Sequence, residues 1–117
     1  MTRMLGLTLA IPLCAIVALS AQSASDEATV KRGAEVYEYW CATCHAAGRG
    51  MPGTAALAVK YRGQEIPAVL EERTDLTPQS IRYFVRNGVS VMTPFRKTEI
   101  TDADLDAMIA YLTRPRQ

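Results

Sequence analysis

Two cysteines and the only histidine of the chain lie together in the segment Cys41-Ala-Thr-Cys44-His45. Two thiols on a tight helical turn can reach the two vinyl groups on one porphyrin edge and form thioether bonds with them. The adjacent histidine then brings a neutral imidazole nitrogen under the ring, where it can bind iron. This spacing is the signature of c-type haem attachment. We therefore expect one haem c, bound covalently through Cys41 and Cys44, with His45 as an axial ligand of the iron.

Three other uses of this segment can be weighed against haem attachment. A structural zinc site needs four nitrogen or sulfur ligands, and the segment supplies only Cys41, Cys44 and His45. A thioredoxin-like redox pair belongs in a βαβ setting, which the sequence does not predict. A disulfide between two cysteines so close in sequence would add little stability to a domain this small, which needs a further stabilising element such as a bound prosthetic group. The sequence favours haem.

A single histidine means that the second axial ligand is of another type, and a methionine thioether is the soft, neutral alternative. Met51 follows His45 by six residues and would have to round the ring edge almost at once. Met108 lies on the apolar face of the last predicted helix, where core packing is expected. Met92 lies far enough along the chain to approach the opposite face of the ring. We predict Met92 as the second ligand.

The elements that position these residues are predicted to be helices, which gives an all-α fold. Ser25-Asp26-Glu27 is expected to cap a first helix that runs through Thr29–Cys41. Thr54 is expected to cap a short second helix, Ala55–Tyr61, and Ala68–Arg73 to form a further helical turn. The segment Gly88–Ile100, which contains Met92, is predicted to be irregular.

Two later helices carry clear start and stop signals. The third has Thr77 as its N-cap and Pro78 as its first residue, and it ends at Gly88, with three residues facing inward: Ile81, Phe84 and Val85. The last opens at Thr101-Asp-Ala-Asp104 and stops at Pro115, with four apolar residues on one face: Leu105, Met108, Ile109 and Leu112. An apolar sleeve for the haem is predicted from six residues: Trp40, Tyr37, Ile81, Val85, Phe95 and Leu105.

The amino terminus has the pattern of a secretory leader. Arg3 is followed by the uncharged residues 4–25, which contain the apolar run Leu5–Leu19 and a small-residue exit at 20–25. We predict that residues 1–24 are a signal peptide cleaved within 20–25, and that 25–117 form one exported, periplasmic domain. An uncleaved membrane anchor stays an alternative, although a spanning helix needs about 20 apolar residues and this run is shorter and contains Pro12.

The charge balance excludes some partners. Removal of the leader takes away Arg3 and no acidic residue, which leaves equal numbers of basic and acidic side chains. A neutral domain with no basic run argues against nucleic acid as a partner. Arg49, Arg96 and Lys97 are candidates for pairing with haem propionates or an acidic partner, but a solvated surface role is favoured. The acidic run at Asp102, Asp104 and Asp106 is interpreted as the start of a helix that needs no partner.

At these residues the chain resembles the class I c-type cytochromes, small single-haem electron carriers with three to five helices around the haem. The resemblance rests on Gly33-x-x-x-Tyr37-x-x-x-Cys41, on Tyr111, on Pro52, and on Asn87-Gly88…Met92-Thr93-Pro94-Phe95. It implies that Gly33 permits close crossing by the last helix, with Tyr111 as the aromatic partner. It also implies that the carbonyl of Pro52 accepts a hydrogen bond from the imidazole. Thr93 stands where the family often has proline directly after the methionine.

More narrowly, Tyr83-Phe-Val-Arg-Asn-Gly88 through Phe95 is similar to the cytochrome subunit of flavocytochrome phenol dehydrogenases, the 4-cresol dehydrogenase and eugenol hydroxylase type. This resemblance implies an electron-transfer protein, not itself an enzyme, that accepts single electrons from a flavoprotein oxidising a para-alkyl phenol. Two alternatives stay open. One is a free, anchored or docked respiratory carrier, and the other is a peroxidase or gas-binding haem protein with a labile sixth ligand.

Overall fold

A computed structural model describes residues 14–115 of the chain, with side chains from residue 26 onward. Within that part there are five α-helices and no strand. The helices are α1 (Cys14–Trp40), α2 (Ala42–His45), α3 (Pro52–Lys60), α4 (Pro78–Asn87) and α5 (Asp102–Thr113). A single 3-10 turn, Leu70–Glu72, lies between α3 and α4 within the predicted helical turn Ala68–Arg73. The prediction of an all-α class I cytochrome c-like fold is confirmed.

The predicted start of the first helix is wrong. Ser25 lies inside α1, which runs without a break from Cys14 to Trp40. No proline or glycine interrupts residues 14–32, and the alanines among them favour helix, so Ser25 need not act as a cap. The predicted signal peptide, 1–24, lies partly outside the described residues and stays a prediction. Within residues 14–115, no helix combines the length and apolar character that a membrane span requires.

The second helix also begins earlier than predicted. α3 starts at Pro52, with Met51 as its N-cap, because proline suits the first turn of a helix, where its missing N–H is not needed. Thr54 is therefore an interior residue of α3 rather than its cap. Its hydroxyl donates a hydrogen bond outside the helix, to the carbonyl of Ala46 next to His45.

The caps of the last two helices are confirmed. Thr77 accepts a hydrogen bond from the backbone N–H of Ser80, and the Ser80 side chain bonds back to the Thr77 backbone, which completes a capping box. Gly88 ends α4 with a φ of 68°, in the left-handed region that favours glycine. Thr101 caps α5 by accepting from the backbone N–H of Asp104.

The centre of the fold is the crossing of α1 and α5. A Cβ on Gly33 would lie 2.0 Å from the carbonyl oxygen of Ala107 and 2.8 Å from Cβ of Tyr111. The rings of Tyr37 and Tyr111 pack beside this contact, with their centroids 5.7 Å apart. The close crossing implied by the resemblance is confirmed.

The buried core contains most of the residues predicted to face inward. The group comprises Val36, Tyr37, Cys41, Ala42, Ile81, Val85, Ile100, Leu105, Met108, Ile109 and Leu112. Phe84 is an exception, since it is 39% exposed, so the prediction that it faces inward is wrong. It lies next to Val85 on α4, and Ile81 and Val85, four residues apart on one face, provide the helix's buried contacts.

The acidic run starts a helix as predicted, with Asp102 and Asp104 in the first turn of α5, and its residues also pair with basic residues elsewhere in the chain. Asp104 accepts from Arg32 of α1 at 2.8 Å, and Asp106 pairs with Arg82 of α4. Asp102 accepts from both Arg86, at 2.9 Å, and Lys97, at 2.7 Å. These pairs are set by the packing of α1 and α4 against α5, which brings distant charges together.

Candidate functional site

The segment Cys41–His45 follows α1 directly and comprises Cys41 and the four residues of α2. The carbonyl of Cys41 accepts hydrogen bonds from the backbone N–H groups of Cys44, at 3.0 Å, and His45, at 2.9 Å. These bonds place Cys41 and Cys44 on one helical turn, as the spacing predicts. Cys44 is exposed, whereas Cys41 is buried. The arrangement therefore presents one thiol to solvent and one to the core.

Cys41 meets a sulfur atom in the core. Its thiol donates to Sδ of Met108 at 3.4 Å, and Met108 is fully buried. Burial raises the pKa of the Cys41 thiol to about 12, so the thiol is neutral at physiological pH. The prediction that Met108 packs in the core is confirmed.

The imidazole of His45 is partly buried at the junction of α2 and α3. Burial lowers the pKa of His45, which favours the neutral ring that a metal requires. Nδ1 is buried, and no group among the described residues hydrogen-bonds to it. The Pro52 carbonyl does not accept from Nδ1 in this structure, and the role of Pro52 toward His45 stays a prediction. Gly53, the next residue of α3, lies against the ring instead, so that a Cβ on it would be 2.8 Å from Nδ1.

The loop that carries Met92 is fastened at both ends. Val89 and Met92 exchange backbone hydrogen bonds of 3.0 and 2.9 Å, which closes a tight turn directly after α4. Gly88 is required there, since a Cβ on it would lie 2.4 Å from the carbonyl oxygen of Met92. Farther along, the N–H of Phe95 bonds the carbonyl of Val85 at 2.8 Å. Met92 is half-buried and packs against the core, and its role as an iron ligand stays a prediction.

Aromatic side chains link this loop to the end of α1. The rings of Trp40 and Phe95 meet edge to face, with their centroids 5.7 Å apart. Both are partly buried and pack against the core cluster. The other four predicted sleeve residues, Tyr37, Ile81, Val85 and Leu105, belong to that cluster. All six predicted residues thus line or border one apolar region, although their packing against haem stays a prediction.

Two polar contacts were not predicted from the sequence. Arg73 is buried, donates to Asp75 from Nε at 2.8 Å, and stacks over the ring of Tyr61. Tyr111 donates to Glu71, which ties the 3-10 turn to α5. The bond from Tyr111 to Glu71 and the stacking of Arg73 on Tyr61 depend on how the fold brings separate parts of the chain together, whereas Arg73 and Asp75 are only two residues apart.

The three basic residues considered as candidates for propionate or partner pairing are exposed to solvent, which agrees with the favoured surface role. Arg96 is 80% and Lys97 73% exposed in their side chains, and both pair with nearby acids, Glu99 and Asp102. Arg49 is exposed as well.

A cavity of about 200 Å³ lies near the end of α5 and is lined by Arg73, Thr74, Leu76, Leu112, Thr113, Arg114 and Pro115. It contains none of the predicted haem-attachment or iron-ligand residues.

The residues present fit a covalently bound haem. Two cysteines share one turn, and the neighbouring histidine has a buried nitrogen with no partner among the described residues. A bound iron would take the other nitrogen of that ring, since a metal-bound imidazole uses one nitrogen for the metal and orients itself through the other.

Comparison with known proteins agrees with this reading of the site. Residues 28–112 match the family model described as cytochrome c oxidase, cbb3-type, subunit III. The match covers most of the chain, including the Cys41–His45 turn and Met92. No curated protein and no solved structure matches the chain significantly. The chain thus belongs to the cbb3-type cytochrome c oxidase subunit III family, and it is a single-haem c-type cytochrome domain, an electron-transfer protein with covalently bound haem c.

Proposed function

We propose that this cytochrome is exported to the periplasm and accepts single electrons from a flavoprotein dehydrogenase that oxidises a para-alkyl phenol. In this proposal, His45 and Met92 are the two axial ligands. The observation that carries the His45 assignment is the buried Nδ1 of its partly buried imidazole, which has no hydrogen-bond partner among the described residues and lies directly after the two cysteines. The similarity of Tyr83–Phe95 to the cytochrome subunit of flavocytochrome phenol dehydrogenases supports the partner.

The haem supplies a one-electron couple between ferric and ferrous iron. The residues of the chain limit reactions of the iron with small molecules and keep the structural change between oxidation states small. His45 and Met92 would hold the iron, and with both bound it would have no position open to oxygen, peroxide or small substrates. Because the Met92 turn is held by its own hydrogen bonds and by the bond from Phe95 to Val85, little rearrangement is needed between oxidation states. The apolar surroundings and the thioether both raise the reduction potential.

Haem attachment is tested by counting vinyl groups. The pyridine haemochrome spectrum of the wild-type protein should show two saturated vinyls, and Cys41→Ala or Cys44→Ala should each leave one unsaturated. Cys14→Ala is the matched control, because Cys14 lies in the predicted leader and should not change the count. Two saturated vinyls in either site variant would contradict the attachment.

The partner is tested with the holoprotein purified from periplasm. A flavin-containing dehydrogenase should copurify and should reduce the haem when a para-alkyl phenol such as 4-cresol is added. Phenol without the alkyl group is the control and should leave the haem oxidised. Isolation of the cytochrome alone, with no reduction by 4-cresol in the periplasmic extract, would contradict the flavoprotein partner.

A docked subunit of a larger respiratory complex is the second candidate, favoured by the oxidase subunit named in the family description. Copurification with a membrane-bound oxidase instead of a flavoprotein would support it. Amino-terminal sequencing of the purified protein separately tests the leader, since cleavage predicts a new terminus within residues 20–25 and a retained terminus would support a membrane anchor. Ready binding of carbon monoxide by the ferrous wild-type protein would instead favour a haem enzyme or gas-binding protein.

A further inference from the structure

The end of α2 has carbonyl groups that need partners from elsewhere. A helix leaves its last carbonyls without partners inside the helix, and α2 has only four residues. Two hydroxyl groups from other helices supply the missing bonds. Thr54 of α3 donates to the carbonyl of Ala46 at 2.9 Å, with the carbonyl of Cys44 at 3.5 Å. Tyr37 of α1 donates to the carbonyl of His45 at 3.1 Å.

Gly53, beside Thr54, is in direct contact with the imidazole. A Cβ at this position would lie 2.6 Å from Cε1 and 2.8 Å from Nδ1 of His45, and 2.8 Å from the carbonyl oxygen of Cys44. These distances are shorter than any real Cβ contact, so no side chain fits unless the ring or the turn moves.

Backbone conformation does not explain the glycine. Gly53 lies in the first turn of α3 and does not belong to the glycines with a positive φ. Alanine would be preferred in a helix by up to about 1 kcal/mol. The space next to His45 is therefore the physical reason why a residue without a side chain suits this position.

We propose that Gly53 and Thr54 are positioning residues that fix the orientation of the His45 imidazole above the turn of α2. Gly53 provides a flat backbone surface against one edge of the ring, and Thr54 holds the backbone on either side of His45. The two residues are adjacent at the start of α3, so a single helix turn controls both the backbone and the ring. This inference rests on the proposed ligation of iron by His45.

The test uses the proton NMR spectrum of the ferric holoprotein. The hyperfine shifts of the four haem methyl groups depend on the planes of the axial ligands, so they report the direction of the imidazole ring. Gly53→Ala should change the spread of these shifts, because the added methyl group forces the ring to turn. Thr54→Val should also change it, since valine keeps the shape of threonine but loses the hydroxyl.

Two variants serve as matched controls. Thr54→Ser keeps the hydroxyl and should preserve the wild-type methyl shifts. Ala56→Ser adds one atom to an exposed position of the same helix and should also leave the shifts unchanged. A purely structural role for Gly53 and Thr54 would lower stability without moving the methyl shifts or the reduction potential. Wild-type shifts in both Gly53→Ala and Thr54→Val would overturn the proposal.

The outcome remains decisive if Gly53→Ala yields no holoprotein. The comparison of Thr54→Val with Thr54→Ser then decides, and identical shifts and potentials in these two variants would refute the positioning role. Failure of the proposed function has a separate signature in the ferrous spectrum. A strongly upfield methionine methyl resonance should be present in the wild-type protein and all four variants. Its absence from the wild-type spectrum would contradict Met92 ligation, whereas its presence with unmoved haem methyls would contradict only the positioning role.

Discussion

Replacing Gly33 by alanine adds one methyl group at the crossing of α1 and α5, where the structure has no room for it. The new Cβ would lie 2.0 Å from the carbonyl oxygen and 2.6 Å from the carbonyl carbon of Ala107, and 2.8 Å from Cβ of Tyr111. The nearest two atoms belong to the backbone, so a change of rotamer cannot relieve the contact. Ordinary contacts of this kind are 3.4–4 Å long, so the helices must separate by more than about 1 Å.

Separating the two helices weakens side-chain packing in the buried core. Val36 and Tyr37 of α1 and Leu105, Met108 and Leu112 of α5 belong to one buried cluster. A gap of about 0.5–1 Å loses a quarter to a half of the dispersion energy between facing atoms, and overpacked cores lose about 1–3 kcal/mol or more. Without the clash, alanine would stabilise the helix by about 0.5–1 kcal/mol.

We therefore expect Gly33→Ala to lower the free energy of unfolding of the holoprotein by about 2 kcal/mol or more. The assay is urea unfolding at pH 7, followed by far-UV circular dichroism and by the haem absorption. With a slope of about 1–3 kcal/mol/M, the midpoint should fall by roughly 1 M.

The direction of the shift in urea midpoint tests the argument from the crossing. Ala56→Gly, at an exposed position of α3, is the control for helix propensity alone and should destabilise by about 0.5–1 kcal/mol. Gly33→Ser should be at least as destabilising as Gly33→Ala, because its side chain is larger. A Gly33→Ala protein with an unchanged or raised midpoint would refute the argument from the crossing.

Three further predictions concern the ligand loop, an ion pair and a helix cap. Met92→Ala should abolish the ferric sulfur-to-iron charge-transfer band and lower the reduction potential, whereas Met108→Leu should keep the band; an optical spectrum and a redox titration check both. Arg73 holds the pKa of Asp75 below its usual range, so this contribution to stability is present at neutral pH and is lost as the pH falls below about 5. Asp75→Asn should make the decline in melting temperature between pH 5 and pH 2 shallower, and an unaltered pH profile would contradict this role. Thr77→Ala should cost about 1 kcal/mol in urea unfolding, and the cap has no such role if the midpoint stays unchanged.

The helices of the second half of the chain could be predicted well because their signals are local. Thr77, Pro78 and Gly88 act through bonds and backbone angles within a few residues, and the structure places all three as predicted. The same reasoning failed at Ser25 and Thr54, which are good caps in isolation. At Thr54, the helix starts at Pro52, three residues earlier than predicted, and the hydroxyl instead donates to the carbonyl of Ala46.

Charge pairing was the least predictable feature. The acids at the start of α5 suit a helix N-terminus wherever it lies, so the sequence needed no partner for them. Their pairing with Arg32, Arg82 and Arg86 depends on how α1 and α4 pack against α5. The burial of Arg73 beside Asp75 and Tyr61 was not predicted from the sequence either.

The sequence by itself determined where haem attaches, because two cysteines and a histidine within a single turn set their own geometry through short-range backbone bonds. Only the tertiary structure decided what surrounds that turn: which helix supports the imidazole, which side chains bond the carbonyls of α2, and which sulfur meets Cys41 in the core. The contact between Cys41 and Met108 joins residues 67 positions apart, and the others join residues eight positions apart. They exist because α5 packs on α1 and α3 packs on α2, and the pattern of neighbouring residues does not reveal that packing.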